Sequence, residues 1–213
     1  MPAPSTQPEA IAHNAIWYLG IDLGTTGISA VLLDCATGQR YPIYWSYEVA
    51  RQPDALPTGT SPFTPEPPNE PIFRLPALTY SEPETNPLSV EPSSTPRIVS
   101  SWTSTLTHNQ PGVFLEKFKP YLNFGVPYFC PQGLEWKPTL QLPNQPLVSL
   151  YRVRQSLQAL LATLTPNPIP THALFKAGAQ GLESETLAAA LQQLQGVIMG
   201  SPATWGDTYR LNV

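Results

Sequence analysis

The chain has 213 residues, a net charge of −4 and only 12% charged residues. It lacks the basic surplus that nucleic acid or an anionic membrane attracts, so neither is expected as a partner. The sequence has no run of about 18 apolar residues and no apolar secretory signal after Met1, which excludes a membrane-spanning helix and favours a cytoplasmic protein. Cys35 and Cys130 lack metal-ligand spacing, and we expect both thiols to be reduced.

The first part of the chain predicts a disordered leader followed by an antiparallel meander. Residues 1–15 are polar and contain prolines, which disfavours a packed core. Apolar and β-branched residues at 16–21 and 28–33 predict two buried strands joined by a tight turn. Alternating aromatic and smaller residues at 41–49 predict a third strand, so we expect a three-stranded antiparallel sheet.

The turn between the first two strands carries one acid, two glycines and two threonines: Asp22, Gly24, Thr25, Thr26 and Gly27. Glycines let the backbone approach a ligand closely and expose amide donors, and threonine hydroxyls add further donors. A carboxylate cannot face phosphate without repulsion, so Asp22 is suited to holding Mg²⁺, usually through water. The pattern predicts a phosphate site, with an ordinary Gly-containing hairpin as the alternative.

The segment 20–27, Gly-Ile-Asp-Leu-Gly-Thr-Thr-Gly, resembles the first phosphate-binding hairpin of the actin, Hsp70 and sugar-kinase superfamily. The resemblance implies that residues 24–27 contact the β- and γ-phosphates of ATP. It also implies a catalytic role for Asp22, which would organise Mg²⁺ and water. Many Hsp70 chains carry a larger residue than Gly27 after the Thr pair, whereas sugar kinases often carry a small one.

The range 51–96 differs sharply in composition from the hairpin, because it is dense in proline. Prolines interrupt helices and remove ladder donors, so the range predicts an extended covering loop or linker. Short apolar pieces such as 72–75 are still able to add an edge strand.

Two lysines, Lys117 and Lys119, lie inside the apolar and aromatic segment 114–122. In Hsp70-like proteins a lysine from about this point in the chain reaches the γ-phosphate, and the resemblance makes either residue a candidate for that role. A compact ammonium group suits the charge that develops during phosphoryl transfer. The alternative is a pair of solvated lysines on a short amphipathic helix.

Helical spacing of leucines predicts an amphipathic helix over 149–164, with Arg152 and Arg154 on its solvated face. A second helix is predicted over 184–195, with Ser184 as its N-cap and Gly196 as its C-terminal stop.

A short buried strand is predicted at 197–200, and the residues after it form a second recognisable segment. That segment resembles the Hsp70 stretch in which a strand runs into Val-Pro-Ala, an aromatic residue, an acid and an arginine. The matching residues are Pro202, Ala203, Trp205, Asp207 and Arg210. Sugar kinases do not characteristically carry this ending, so it favours the Hsp70 branch.

The family also has a second hairpin, with an Asp-Leu-Gly-Gly-Gly-Thr-like turn that grips the phosphates from the opposite side, and a Gly-rich stretch that holds adenosine. Neither occurs in this sequence. The chain therefore resembles the first lobe of a two-lobed nucleotide domain, and we expect hydrolysis by this lobe alone to be very slow. A second lobe or a protein client is the expected partner.

We predict an α/β fold: a ribonuclease-H-like, actin-like ATPase lobe over 16–213 with a mixed sheet, an N-terminal phosphate hairpin, flanking helices and the Pro-rich insertion. The resemblance implies an Hsp70-like, chaperone-type ATP-binding protein with ATP and Mg²⁺ as cofactors. Two alternatives stay open. One is a fragment of a carbohydrate kinase, and the other is a non-enzymatic truncated lobe that binds another protein.

Overall fold

The computed structural model describes residues 15–47, 70–82, 96–99, 112–123, 126–130, 135–141, 147–166 and 175–200, and residues 203, 205, 207 and 213. Most of the predicted leader, much of the Pro-rich range, and Pro202 and Arg210 lie outside them. The elements are β1 Trp17–Leu23, β2 Gly27–Asp34, β3 Gln39–Tyr47, β4 Leu75–Pro76, β5 Leu78–Ser81, β6 Arg97–Ile98, β7 Val113–Glu116, a 3₁₀ helix Lys119–Asn123, β8 Val126–Cys130, β9 Glu135–Gln141, β10 Leu147–Ser149, α1 Leu150–Ala162, β11 Phe175–Ala179, α2 Ser184–Gln192 and β12 Leu194–Met199.

The central sheet has the strand order β11-β3-β2-β1-β12, and β4 pairs with β2 outside this path. Strands β1, β2 and β3 form the predicted antiparallel meander, whereas β12 runs parallel to β1. A parallel pair needs a crossover connection, and α2 lies immediately before β12 in the chain. The predicted α/β class with a mixed sheet is therefore confirmed.

Buried and more exposed side chains alternate strictly along β1, which shows which side of the central sheet faces the core. Every second side chain, from Trp17 to Leu23, is buried, as expected for a strand with one covered face. On β3, Trp45 is fully buried, and its Nε1 donates to Thr163 Oγ1 at 2.9 Å. This bond satisfies a buried indole N–H and ties the sheet to the end of α1.

Two small antiparallel sheets complete the described fold, with the orders β6-β5-β7 and β10-β9-β8. Strand β5 comes from the proline-rich range and is joined to α1 by a buried hydrogen bond, in which Thr79 Oγ1 donates to Ser156 Oγ at 2.8 Å. Strand β4 also lies in the proline-rich range. The described part of that range therefore contributes β4 to the central sheet and β5 to the β6-β5-β7 sheet.

Helix α1 confirms the predicted helix over 149–164, and the Ser149 hydroxyl caps it by accepting from the Arg152 N–H. The prediction that Arg152 is solvated is wrong, because this residue is only 3% exposed. Helix α1 contacts β6, the 3₁₀ helix, β9 and β10, so it buries a wider stripe than its leucines alone. Burial lowers the pKa of the Arg152 guanidinium. Arg154 is exposed, as predicted.

Helix α2 begins at the predicted Ser184 but ends three residues earlier than predicted, and both of its predicted capping residues are wrong. Its N-cap is Glu183, whose side chain makes no capping bond, and not Ser184. The helix ends at Gln192, whereas Gly196 lies within β12 opposite Tyr18. The chain leaves the helix early because Leu194 is already paired with Trp17. No helix among the described residues is long and apolar enough to cross a membrane.

The strand predicted at 197–200 exists as part of β12, but the expectation that it is buried is wrong. Val197 is 54% exposed and Ile198 is 63% exposed. Consecutive residues of a strand point to opposite faces, so both faces of β12 are open at this point. Within the described sheet order, β12 is an edge strand and pairs only with β1.

Candidate functional site

The predicted phosphate loop is a tight turn that connects β1 to β2. The Gly24 N–H donates to the Gly27 carbonyl oxygen at 2.9 Å, which closes the hairpin. Asp22, Thr25 and Thr26 are all exposed at this turn. The structure thus gathers the predicted carboxylate, hydroxyls and glycines at a single accessible end of the hairpin.

This end of the hairpin coincides with the carboxyl edge of the parallel strand pair. Ile21 of β1 lies opposite Met199 of β12, and the Gly200 N–H donates to the Ile21 carbonyl oxygen at 3.4 Å. Asp22 therefore lies beside the point where the chain leaves β12. Ligands of open α/β sheets bind outside the carboxyl ends of parallel strands, so the edge beside Asp22 is a suitable place for a binding site.

The predicted lysine segment reaches the same loop through the backbone. The Ala77 N–H donates to the Thr26 carbonyl oxygen at 3.0 Å, and the Lys117 N–H donates to the Ala77 carbonyl oxygen at 3.2 Å. Lys117 is exposed and has a left-handed backbone with φ of 49°, a conformation that costs energy for a residue with a Cβ. The segment is not an amphipathic α-helix, because it consists of β7 followed by the 3₁₀ helix.

Lys119 has a different environment from Lys117. Its Nζ lies 5.7 Å from the centroid of the Trp205 ring, which is the geometry of a cation–π interaction. Trp205 belongs to the segment after β12 that resembles the Hsp70 ending, so this contact brings the two segments together. Of the two candidate lysines, Lys117 is the one whose backbone is linked through Ala77 to the predicted phosphate loop.

Sequence reasoning missed Arg74, which lies directly on the loop. Its Nη2 is 3.2 Å from Asp22 Oδ2, its Nη1 donates to Thr26 Oγ1 at 3.1 Å, and its Nε donates to Ser29 Oγ at 3.4 Å. The side chain of Arg74 is 48% exposed and that of Asp22 is 66% exposed. The available signal was the apolar segment 72–75, which was noted as able to add an edge strand, but it did not indicate which strand would pair with it.

Pairing on both sides of Arg74 holds it in place. Ile72 forms a two-bond bridge with Trp45, and Leu75 of β4 pairs with Ile28 of β2. A Cβ on Gly27 would collide with the carbonyl oxygen of Leu75 and lie 2.8 Å from Arg74 Cγ. Gly27 is therefore needed for the close approach of β4.

The predicted phosphate loop carries one carboxylate, that of Asp22, which is exposed. Among the residues that the structure describes, no three His, Cys, Asp or Glu side chains cluster as metal ligands. Mg²⁺ commonly takes only one or two carboxylates and fills its other positions with water and phosphate oxygens. The single carboxylate of Asp22 fits that pattern, although Arg74 is its partner in this structure.

A groove of about 830 Å³ lies at the opposite end of the hairpin, beside α2, and is lined in part by Trp17, Asp34 and Thr37. Asp34 accepts hydrogen bonds from the Ala36 N–H at 2.9 Å and from the Thr37 hydroxyl at 2.8 Å. The Thr37 hydroxyl is the main cause that lowers the pKa of Asp34 below its ordinary 3.8, although desolvation opposes it. This carboxylate is committed to its own turn, so the groove is a weaker candidate than the loop.

No protein-family model, no curated protein and no solved structure matches this chain.

Proposed function

We propose that the chain is an ATP-binding lobe of the Hsp70-like, actin-like ATPase kind, and that it holds the nucleotide phosphates at the loop 22–27. The observation that carries this proposal is the position of Asp22 and the Gly-Thr turn at the carboxyl edge of the β1 and β12 pair. The sheet order supports it, because an antiparallel hairpin sheet extended by a parallel strand is what a ribonuclease-H-like lobe requires.

Each residue of the loop has a role that follows from its chemistry. Backbone amides and hydroxyls of Thr25 and Thr26, at the exposed turn, would donate to phosphate oxygens. Asp22 would hold Mg²⁺ through water. Lys117 would approach the γ-phosphate, since its backbone is joined to the loop through Ala77. Bound ATP would supply the γ-phosphoryl group, and these side chains would favour its transfer to water.

The proposed activity needs a second surface. Phosphoryl transfer depends on positioning and on preorganised charge in a site that excludes water. The described loop is an exposed end of a hairpin, so the phosphates would still face water on one side. We therefore propose that efficient hydrolysis requires a second lobe or a protein client that closes over the loop.

Two other functions draw support from single observations. Gly27 is small, as in many sugar kinases, which favours a carbohydrate-kinase fragment. That reading predicts ATP turnover that depends on added sugar. The exposed Val197 and Ile198 favour a non-enzymatic protein-binding module, which would bind no nucleotide at the loop.

Calorimetric titration of Mg-ATP into the chain and into Asp22→Ala tests the proposal. We expect micromolar or tighter binding to the wild type and at least a tenfold loss, about 1.4 kcal/mol or more, in the variant. Glu82→Ala is the matched control, because Glu82 is 65% exposed and also lies beside an arginine, Arg97, at 3.8 Å. Its affinity should equal that of the wild type.

Circular dichroism of the three proteins establishes whether each is folded. A folded wild type that binds no Mg-ATP would contradict a nucleotide site in this chain alone. Unfolding of Asp22→Ala would instead make Asp22 a structural residue.

A further inference from the structure

Arg74 lies beside the proposed phosphate loop and makes three hydrogen bonds to the hairpin that carries it. Its partners are the carboxylate of Asp22, the hydroxyl of Thr26 and the hydroxyl of Ser29, on both strands of the hairpin. Thr26 is itself a predicted phosphate ligand, so the guanidinium lies where a phosphate group would be bound.

The backbone around Arg74 does not depend on this ion pair. Leu75 is fully buried and pairs with Ile28, Pro76 pairs with Gly27, and the Ala77 N–H donates to Thr26. An ion pair between two half-exposed side chains adds little to stability. The position of Arg74 is thus determined by β4, while its guanidinium contacts are open to exchange with a ligand.

The chemistry of the group favours phosphate as that ligand. A guanidinium has five N–H donors in a planar fork that matches the oxygens of phosphate. The described residues accept from only one N–H of each terminal nitrogen of Arg74. Two N–H groups, one on each terminal nitrogen, therefore remain to bind an anion that enters the loop.

We propose that Arg74 is a phosphate-binding residue and that Asp22 competes with the phosphate for it. This inference rests on the proposed phosphate site. With Asp22 ionised and no metal present, the carboxylate both repels the anion and holds the guanidinium. A divalent cation on Asp22 removes both obstacles, and Arg74 passes from the carboxylate to the phosphate.

Metal-free binding of inorganic tripolyphosphate in EDTA tests this competition directly. Asp22→Asn keeps the size of the side chain and removes its charge. We expect it to bind tripolyphosphate about tenfold or more tightly than the wild type, because a charge-assisted bond from Arg74 becomes available. Adding Arg74→Gln to Asp22→Asn should return the affinity to the wild-type value or below.

A second arginine provides the control for loss of positive charge. Arg97 is 54% exposed and lies beside Glu82, so Arg97→Gln in the Asp22→Asn background removes a comparable charge elsewhere. This double variant should bind as tightly as Asp22→Asn alone. Equal affinity of Asp22→Asn with and without Arg74→Gln, or no gain on neutralising Asp22, would overturn the inference.

The outcome separates this inference from the nucleotide proposal. If the tripolyphosphate results hold while the wild type binds no Mg-ATP, the role of Arg74 stands and the nucleotide proposal fails. If Mg-ATP binds in an Asp22-dependent way while tripolyphosphate binding ignores Arg74, the nucleotide proposal stands and Arg74 has no part in it.

Discussion

The β1–β2 hairpin has an aspartate near each of its ends: Asp22 beside the turn and Asp34 at the end of β2. The two carboxylates have different hydrogen-bond partners. Asp34 is 5% exposed and accepts hydrogen bonds from the backbone and hydroxyl of its own turn. Asp22 is largely exposed, and its partner is an arginine from a distant segment. A carboxylate that its own turn satisfies stabilises the fold, whereas one that shares a half-exposed guanidinium is available to a ligand.

The glycines at the two ends differ in the same way. Gly38 has φ of 73° with no atom near its would-be Cβ, so glycine is needed there for backbone conformation. Gly27 does not have a positive φ, and its Cβ would collide with β4. Gly38 allows the left-handed backbone of a turn, whereas Gly27 allows the close approach of the segment that contains Arg74.

The largest expected effect on stability is that of Gly27→Ala. The added methyl group must displace Leu75 and Arg74, and such overpacking costs about 1–3 kcal/mol. Urea unfolding measures this loss. Trypsin cleavage after Arg74 should also become faster, because β4 is pushed away from β2.

Gly38→Ala is the control at the other end of the hairpin. It should cost about 1–2 kcal/mol, because alanine is strained in the left-handed region, but it should leave cleavage after Arg74 unchanged. If Gly38→Ala and Gly27→Ala exposed Arg74 to trypsin equally, the steric role assigned to Gly27 would be wrong.

The next effect concerns acid stability. The folded state lowers the pKa of Asp34, so this group stabilises the fold above the ordinary value of 3.8. That contribution is lost as the pH falls through the lower folded-state pKa. Urea midpoints measured between about pH 2 and pH 6 should therefore fall less steeply at the acid end in Asp34→Asn than in the wild type.

Thr37→Val sharpens this test, because the Thr37 hydroxyl is the largest cause of the shift. Like Asp34→Asn, it should make the urea midpoint fall less steeply at the acid end than in the wild type. If the urea midpoints of both variants fell with pH as steeply as those of the wild type, the Asp34 turn would not contribute to acid stability.

The smallest expected effect is that of Asp22→Asn on stability at neutral pH. Exposed ion pairs contribute about 0–1 kcal/mol, so the free energy of unfolding should change by no more than that. A loss of several kcal/mol would make the Asp22 and Arg74 pair structural and would remove the contrast with Asp34.

The hairpin could be predicted because its signals are local. The alternation from Trp17 to Leu23 and the Gly and Thr residues of the turn lie within one short stretch. Helix α1 was equally predictable from its leucine spacing. Arg74 could not be predicted to contact Asp22, since its position depends on the register of β4 against β2, and no local pattern determines that register.

The errors in burial also come from long-range packing. Arg152 has the spacing of a surface residue, but several neighbouring elements surround α1 and cover it. Val197 and Ile198 have the composition of a core strand, but β12 lies at the edge of the described sheet. In each case the predicted exposure was wrong, because the neighbours that decide it lie far away in the sequence.

The pairing of β1 with β12 has a consequence for synthesis. Trp17 is opposite Leu194 and Ile21 is opposite Met199, so one edge of β1 has no neighbour until residues 194–199 have left the ribosome. Pairing between such distant segments is slow, and an open strand edge invites association with other chains. The nascent protein is therefore expected to be most prone to aggregation just before those last strand residues emerge.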